Sequence, residues 1–125
     1  MSKILVVDDN ALNLRLTCIV LEEAGHETLC AKNGMEAVEI ADSEPLDMIL
    51  MDLRMPVMDG KHAMRQIKAN VRTRHIPIVA LTASAMKGER EELLADGFDG
   101  YIDKPIDVNT LASTVAELYI EKKIG

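Results

Sequence analysis

Apolar positions along this chain follow two alternating patterns. Short aliphatic runs at Lys3–Val7, Glu27–Ala31, Asp47–Met51, Pro77–Leu81 and Asp99–Asp103 are separated by longer stretches whose apolar residues recur at intervals of three and four. The runs predict strands and the stretches predict helices, because side chains change face at every residue of a strand but return to one face at each turn of a helix. Asn10–Ala24 carries Leu12, Leu16, Ile19, Val20 and Leu21 at helical spacing and stops at Gly25, a residue suited to a left-handed cap. Gly34–Ser43, with Met35, Val38 and Ala41, is ended by Glu44-Pro45, and Lys61–Asn70 offers Met64 and Ile67 as an inward face. Lys87–Asp96 has only Leu93 and Leu94 as strong anchors among Glu89, Arg90, Glu91 and Glu92, so a loosely held or partner-facing helix is expected there. Asp107–Glu121 closes the series, with Asp107 as cap and Val108, Leu111, Val115 and Leu118 as its stripe.

Strands alternating with helices from one end to the other predict an α/β fold, a parallel sheet with crossover helices. The third and fourth runs are nearly continuous apolar residues, as expected of strands buried on both faces. Five such units fill residues 1–125, so one domain without an attached output domain is expected. The composition, 48% hydrophobic and 28% charged, is that of a globular domain. A formal charge of −7 would repel a phosphate backbone, which argues against a nucleic-acid partner. Cys18 and Cys30 lie twelve residues apart with no nearby metal-ligand spacing and are expected to be reduced, packed thiols. No apolar run approaches the roughly 18 residues of a spanning helix, and the apolar stretch Ile4–Val7 is too short for a signal-peptide core. A cytoplasmic protein that does not insert into membranes is the expectation.

In an open α/β sheet, ligands bind beyond the carboxyl ends of the strands. There the sequence places Asp8-Asp9 after the first strand, Asp52 after the third, Thr82 after the fourth and Lys104-Pro105 after the fifth. Three carboxylates about 5 Å apart would repel by roughly 3 kcal/mol per pair at an effective dielectric near 20, so a proton, a lysine or a cation must lie among them. Oxygen ligands without cysteine or histidine select a hard ion, and a partly hydrated one favours Mg²⁺. Mg²⁺ commonly accompanies phosphate. Lys104 and Thr82 would then hold phosphoryl oxygens, and Asp52, at the far end of the most apolar strand, would be a nucleophile forming an aspartyl phosphate.

Four pieces in order, Ile4-Leu5-Val6-Val7-Asp8-Asp9-Asn10, Met51-Asp52-Leu53-Arg54-Met55-Pro56-Val57-Met58-Asp59-Gly60, Pro77-Ile78-Val79-Ala80-Leu81-Thr82-Ala83 and Gly100-Tyr101-Ile102-Asp103-Lys104-Pro105, resemble the receiver domains of two-component response regulators. The resemblance spans essentially the whole chain. It implies a flavodoxin-like receiver fold, five parallel strands in the order 2-1-3-4-5 with helices on both faces. It also implies that Asp52 accepts a phosphoryl group from a sensor histidine kinase or a histidine phosphotransfer protein. Mg²⁺ would be held by Asp9, Asp52 and the Arg54 carbonyl, with Asp8 bonding through water. Lys104, Thr82 and the backbone around Ala83 would hold the phosphoryl oxygens. Thr82 and Tyr101 would switch a face made by the fourth helix, fifth strand and fifth helix, through which a downstream protein binds, while Arg54 and Ser84 would tune phosphate lifetime. Such a protein catalyses only its own phosphorylation and slow dephosphorylation. The segments Ala85–Glu89 and Tyr101–Ile106 are similar to single-domain cell-division receivers and also to receivers of hybrid kinases, leaving a cell-cycle regulator and a phosphorelay intermediate both open.

Taken singly, each residue has a plainer role: an Asp at a strand end is usually a turn residue, and Lys104 alone would be a surface lysine. His26, His62 and His75 show no ligand spacing, and Arg72–His75 reads as a solvated loop. Met55, Met58 and Met86, near the reactive edge, are candidates for partner packing. Two other functions compete. An aspartate-nucleophile phosphatase would show Asp-x-Asp after the first strand, where Asn10 stands instead, and a flavodoxin-like electron carrier would need a Ser/Thr/Gly-rich loop in place of Asp8-Asp9-Asn10.

Overall fold

The computed structural model describes residues 2–83 and 87–124. Its elements are β1 (Lys3–Val7), α1 (Ala11–Glu23), β2 (Glu27–Ala31), α2 (Gly34–Ser43), β3 (Met48–Asp52), α3 (Gly60–Ala69), β4 (Ile78–Thr82), α4 (Lys87–Asp96), β5 (Gly100–Asp103) and α5 (Leu111–Ile124). All strand pairs are parallel, as the alternation of runs predicts, and the order is β2-β1-β3-β4-β5, as the receiver resemblance implies. The register sets Val7 beside Ala31 and Met51, Asp52 beside Leu81, and Thr82 beside Asp103. Parallel strands in this register deliver the ends of β1, β3, β4 and β5 to one edge of the sheet.

β3 and β4 begin and end one residue later than the aliphatic runs, because Asp52 and Thr82 extend the ladder. Both are buried. Their backbones are therefore fixed by the sheet itself. β3 and β4 are buried along their whole length, and their alternating side chains feed two cores. Ile49, Met51, Ile78 and Ala80 face α2 and α3, where Ala37, Ala63, Met64 and Ile67 meet them. Met48, Leu50, Val79 and Leu81 face the other way, against Cys18 and Leu21 of α1 and Leu111 and Val115 of α5. Truncating one of the larger of these side chains to alanine costs about 2–5 kcal/mol.

α1, α2 and α3 each begin on a side-chain cap. The side-chain oxygens of Asn10, Asn33 and Asp59 accept hydrogen bonds from the backbone N–H groups of Asn13, Glu36 and His62. Gly25, after α1, has φ = 97°, in the left-handed region that glycine reaches without a steric penalty.

The apolar stripe of α1 differs from the expected one. Leu12, Leu16 and Ile19 are exposed, Leu12 at 76%, and the buried residues are Thr17, Cys18 and Leu21. Thr17 is accommodated because its hydroxyl donates to the Asn13 carbonyl one turn earlier. Met35 of α2 and Leu94 of α4 are exposed as well, leaving Gly34, Ala37 and Ala41 as the buried face of α2 and Leu93 as the anchor of α4. α5 starts at Leu111, four residues after the expected start. Asp107 instead closes a turn over residues 107–110, its carboxylate accepting from the Asn109 N–H and its carbonyl from Thr110 and Leu111.

Candidate functional site

The turn after β1 fixes Asp8. Its N–H donates to the Ala31 carbonyl, and its Oδ1 accepts from the Asn10 N–H at 2.9 Å. Asp8 is 1% exposed, and its Oδ2 has no hydrogen-bond partner among the described residues, although Lys104 Nζ lies 3.3 Å away. Asp9, the next residue, is exposed. Asp52 closes β3, and the loop that follows is held tightly to it. The Gly60 N–H donates to the Leu53 carbonyl, and a Cβ on Gly60 would collide with the Asp52 carbonyl oxygen. Within that loop Val57 has φ = 70° while the Met58 N–H reaches the Pro56 carbonyl at 2.7 Å, a tight three-residue turn rarely adopted by a β-branched residue. Gly34 at the start of α2 braces the loop, donating its N–H to the Met58 carbonyl.

Lys104 arrives from β5. Its backbone N–H donates to the Thr82 carbonyl at 2.8 Å, which registers the two strand ends, and its ammonium lies 3.2 Å from Asp52 Oδ1. One cation thus faces two buried carboxylates. Asp8, Asp9 and Asp52 each offer a carboxylate oxygen, all within 4.8 Å of one another. Burial pushes the Asp52 carboxyl above its ordinary value; Lys104 pulls it down, Asp8 pushes it up, and desolvation is the largest of these effects. A carboxylate so placed is short of positive charge. An all-oxygen set with a buried oxygen that accepts no hydrogen bond suits a hard divalent cation.

These groups line one cleft of about 610 Å³, and Thr82, Ala83 and Arg54 line it too. Strand-end positions predicted Asp8, Asp9, Asp52, Thr82 and Lys104 here, and the receiver resemblance implied Arg54 and Ala83. The response regulator receiver domain profile matches residues 4–116, which takes in every one of them. The chain belongs to the response regulator receiver domain family.

This receiver domain is 38% identical over 112 residues to the polar-differentiation response regulator DivK of Brucella anthropi, covering 90% of this chain and 91% of that protein. The chemotaxis response regulator CheY4 of Vibrio cholerae superposes with a TM-score of 0.89 at 30% identity, over 94% of this chain and 98% of that one. The receiver domain of a sensor histidine kinase from Pseudomonas aeruginosa, solved with a magnesium ion coordinated in its active-site cleft, gives 0.85 at 36% identity, over 94% and 97%.

In this receiver domain Tyr101 does not line the cleft. It is partly buried against the core, with the Arg90 guanidinium 5.2 Å from its ring centroid, and borders a separate cavity of about 280 Å³ between β5 and α5. Arg90 also pairs with Asp103 at 3.6 Å. Ser84 and Met86 lie outside the described residues. Asn10, the cap of α1, Asn13 within α1, and Glu89 and Glu92 of α4 line the cleft without having been expected there. The Asp-x-Asn spacing of Asp8 and Asn10, which favours a side-chain turn, was the available signal for Asn10. The α4 glutamates had none beyond their number. No described helix is long and apolar enough to cross a membrane.

Proposed function

We propose that this receiver domain accepts a phosphoryl group on Asp52 from a histidine kinase or a histidine phosphotransfer protein and signals by changed binding to a downstream protein. The observation that carries the reading is the pairing of one half-buried lysine with two buried carboxylates at the strand ends: Lys104 lies 3.2 Å from Asp52 and 3.3 Å from Asp8.

The Asp52 carboxylate forms the new P–O bond as the donor's P–N bond breaks, and the imidazole leaves with its electron pair. Little acid–base chemistry is needed, so positioning and charge neutralisation dominate. Asp9, Asp52 and the backbone carbonyl of Arg54 would hold Mg²⁺, with Asp8 reaching it through water. When bound, the ion supplies positive charge against the phosphoryl oxygens. Lys104, freed from Asp52 once that oxygen is esterified, pairs with a phosphoryl oxygen, and the Thr82 hydroxyl and the backbone near Ala83 donate to the others. Thr82 and Tyr101 carry the change to the surface formed by α4, β5 and α5, the proposed docking face. Arg54 at the cleft mouth and Ser84 modulate hydrolysis. The chain acts on no other substrate.

Likeness to the polar-differentiation response regulator DivK favours a role in polar differentiation over a relay intermediate, and the cytoplasmic, cell-division reading of the sequence is proposed with it. The test is intact-protein mass after incubation with Mg²⁺ and acetyl phosphate, with and without chelator. A Mg²⁺-dependent gain of one phosphoryl group, absent in Asp52→Asn, supports the reading. Equal labelling of the variant refutes it.

A further inference from the structure

Cys18 and Cys30 come from different elements, and their Sγ atoms lie 2.9 Å apart. The alternation of β2 explains the meeting. Leu29 and Ala31 pack on the side of the sheet facing α2 and α3, so Cys30 points to the opposite side, where Cys18 of α1 joins Ile4 and Val6 in the core. β2 is an edge strand, and Cys30 is exposed while Cys18 is 5% exposed. The expectation of two packed thiols therefore holds for Cys18 alone. A thiol that solvent reaches, in contact with a second thiol that it does not, is the arrangement of a peroxide-reactive sulfur with its resolving partner.

We propose that Cys18 and Cys30 are an oxidation site, closing under peroxide to an intramolecular disulfide that ties α1 to β2. Cys30 reacts first, because it is the sulfur an oxidant can reach. Its sulfur attacks hydrogen peroxide, an S–O bond forms as the O–O bond breaks, and the hydroxide released takes up the thiol proton as water. Cys18 Sγ then attacks the Cys30 sulfenic sulfur; the S–S bond forms, the S–O bond breaks, and the leaving hydroxide takes the Cys18 proton as a second water. Two thiols lose two electrons in total, and one peroxide becomes two waters. Burial, with the neighbouring Cys30 sulfur, pushes the Cys18 thiol up to about 12, so Cys18 stays protonated and does not compete with Cys30 for peroxide. The site is remote in chemistry from the carboxylate cleft and uses none of its residues.

The test treats the reduced full chain with hydrogen peroxide, denatures it in iodoacetamide and reads intact mass and tryptic peptides. The expected product is a monomer lighter by two hydrogen atoms that takes up no alkyl group, gives one Cys18–Cys30 linked peptide, and regains two alkylatable thiols after dithiothreitol. In Cys30→Ser, an exposed change whose fold is checked by circular dichroism, Cys18 should remain alkylatable at the same peroxide dose. Two thiols still alkylated in the wild type, a sulfinic acid at Cys30 in place of the bridge, or a dimer joined through Cys30 would each overturn the proposal. So would oxidation of Cys18 in the variant at the wild-type rate.

Discussion

Replacing Lys104 with methionine keeps much of the side chain's bulk and removes its charge, which isolates the electrostatics of the cleft. The ammonium lies 3.2 Å from Asp52 Oδ1 and 3.3 Å from Asp8 Oδ2. At an effective dielectric near 20, each attraction is about 5 kcal/mol, while carboxylates within 4.8 Å repel by about 3.5 kcal/mol or more. Most of that attraction offsets desolvation, so the measurable loss is the cost of leaving buried charge unpaired, about 3–5 kcal/mol. The sign with pH follows from Asp52. Its carboxyl is already raised in the folded state, and losing Lys104 raises it further. A raised folded value gives stability that is present below the unfolded value and is lost as pH rises through the folded one. Lys104→Met should therefore unfold at much lower urea than wild type near pH 8 in chelator, and the gap should shrink as pH falls toward about 4 and Asp52 takes up its proton. Equal stability near pH 8, or a gap independent of pH, would refute the reasoning.

Gly60→Ala places a methyl group against the Asp52 carbonyl, so a destabilisation of about 1–3 kcal/mol is expected by urea denaturation, together with slower labelling by acetyl phosphate as the Asp52 loop shifts. Arg90→Ala removes a cation from the face of Tyr101, which should cost no more than about 1 kcal/mol but should shift the Tyr101 ring resonances in NMR spectra; unchanged resonances would deny the contact. Cys18 titrates near 12 in the fold against 9.0 ordinarily, so reduced wild type should lose stability relative to Cys18→Ala as pH rises from about 9 to about 12, by less than about 4 kcal/mol. A pH-independent difference between the two proteins would contradict that.

β3 and β4 were legible because Met48–Met51 and Ile78–Leu81, buried on both faces, each leave four unbroken aliphatic residues, and the order of runs and helices then fixes the layered architecture. α1 was not, because apolar residues lie on both of its sides. Of the stripe Leu12, Leu16, Ile19, Val20 and Leu21, the last is buried and Val20 packs beside it as expected, whereas the first three are exposed and Thr17 and Cys18 turn inward instead. Periodicity identifies a buried face only where polar residues mark the other one. The same distinction runs through the site. Asp8, Asp52, Thr82 and Lys104 could be placed from their positions at strand ends, since parallel register carries strand ends to one edge. The bracing by Gly34 and Gly60 was hidden because it is made by backbone atoms, to which residue type is a weak guide. The Cys18–Cys30 contact depends on the docking of α1 on an edge strand, which a spacing of twelve residues does not encode.

Asp52, not either of its acidic neighbours, is the proposed phosphoryl acceptor, and its position can be read chemically. Sodium borohydride reduces an acyl phosphate to an alcohol, converting an aspartyl phosphate to homoserine. The chain should be phosphorylated with acetyl phosphate and Mg²⁺, reduced at once, and mapped by tandem mass spectrometry. Homoserine at position 52, absent when chelator is present during phosphorylation, is the predicted result. Homoserine at position 8 or 9, or labelling indifferent to the chelator, would contradict the account.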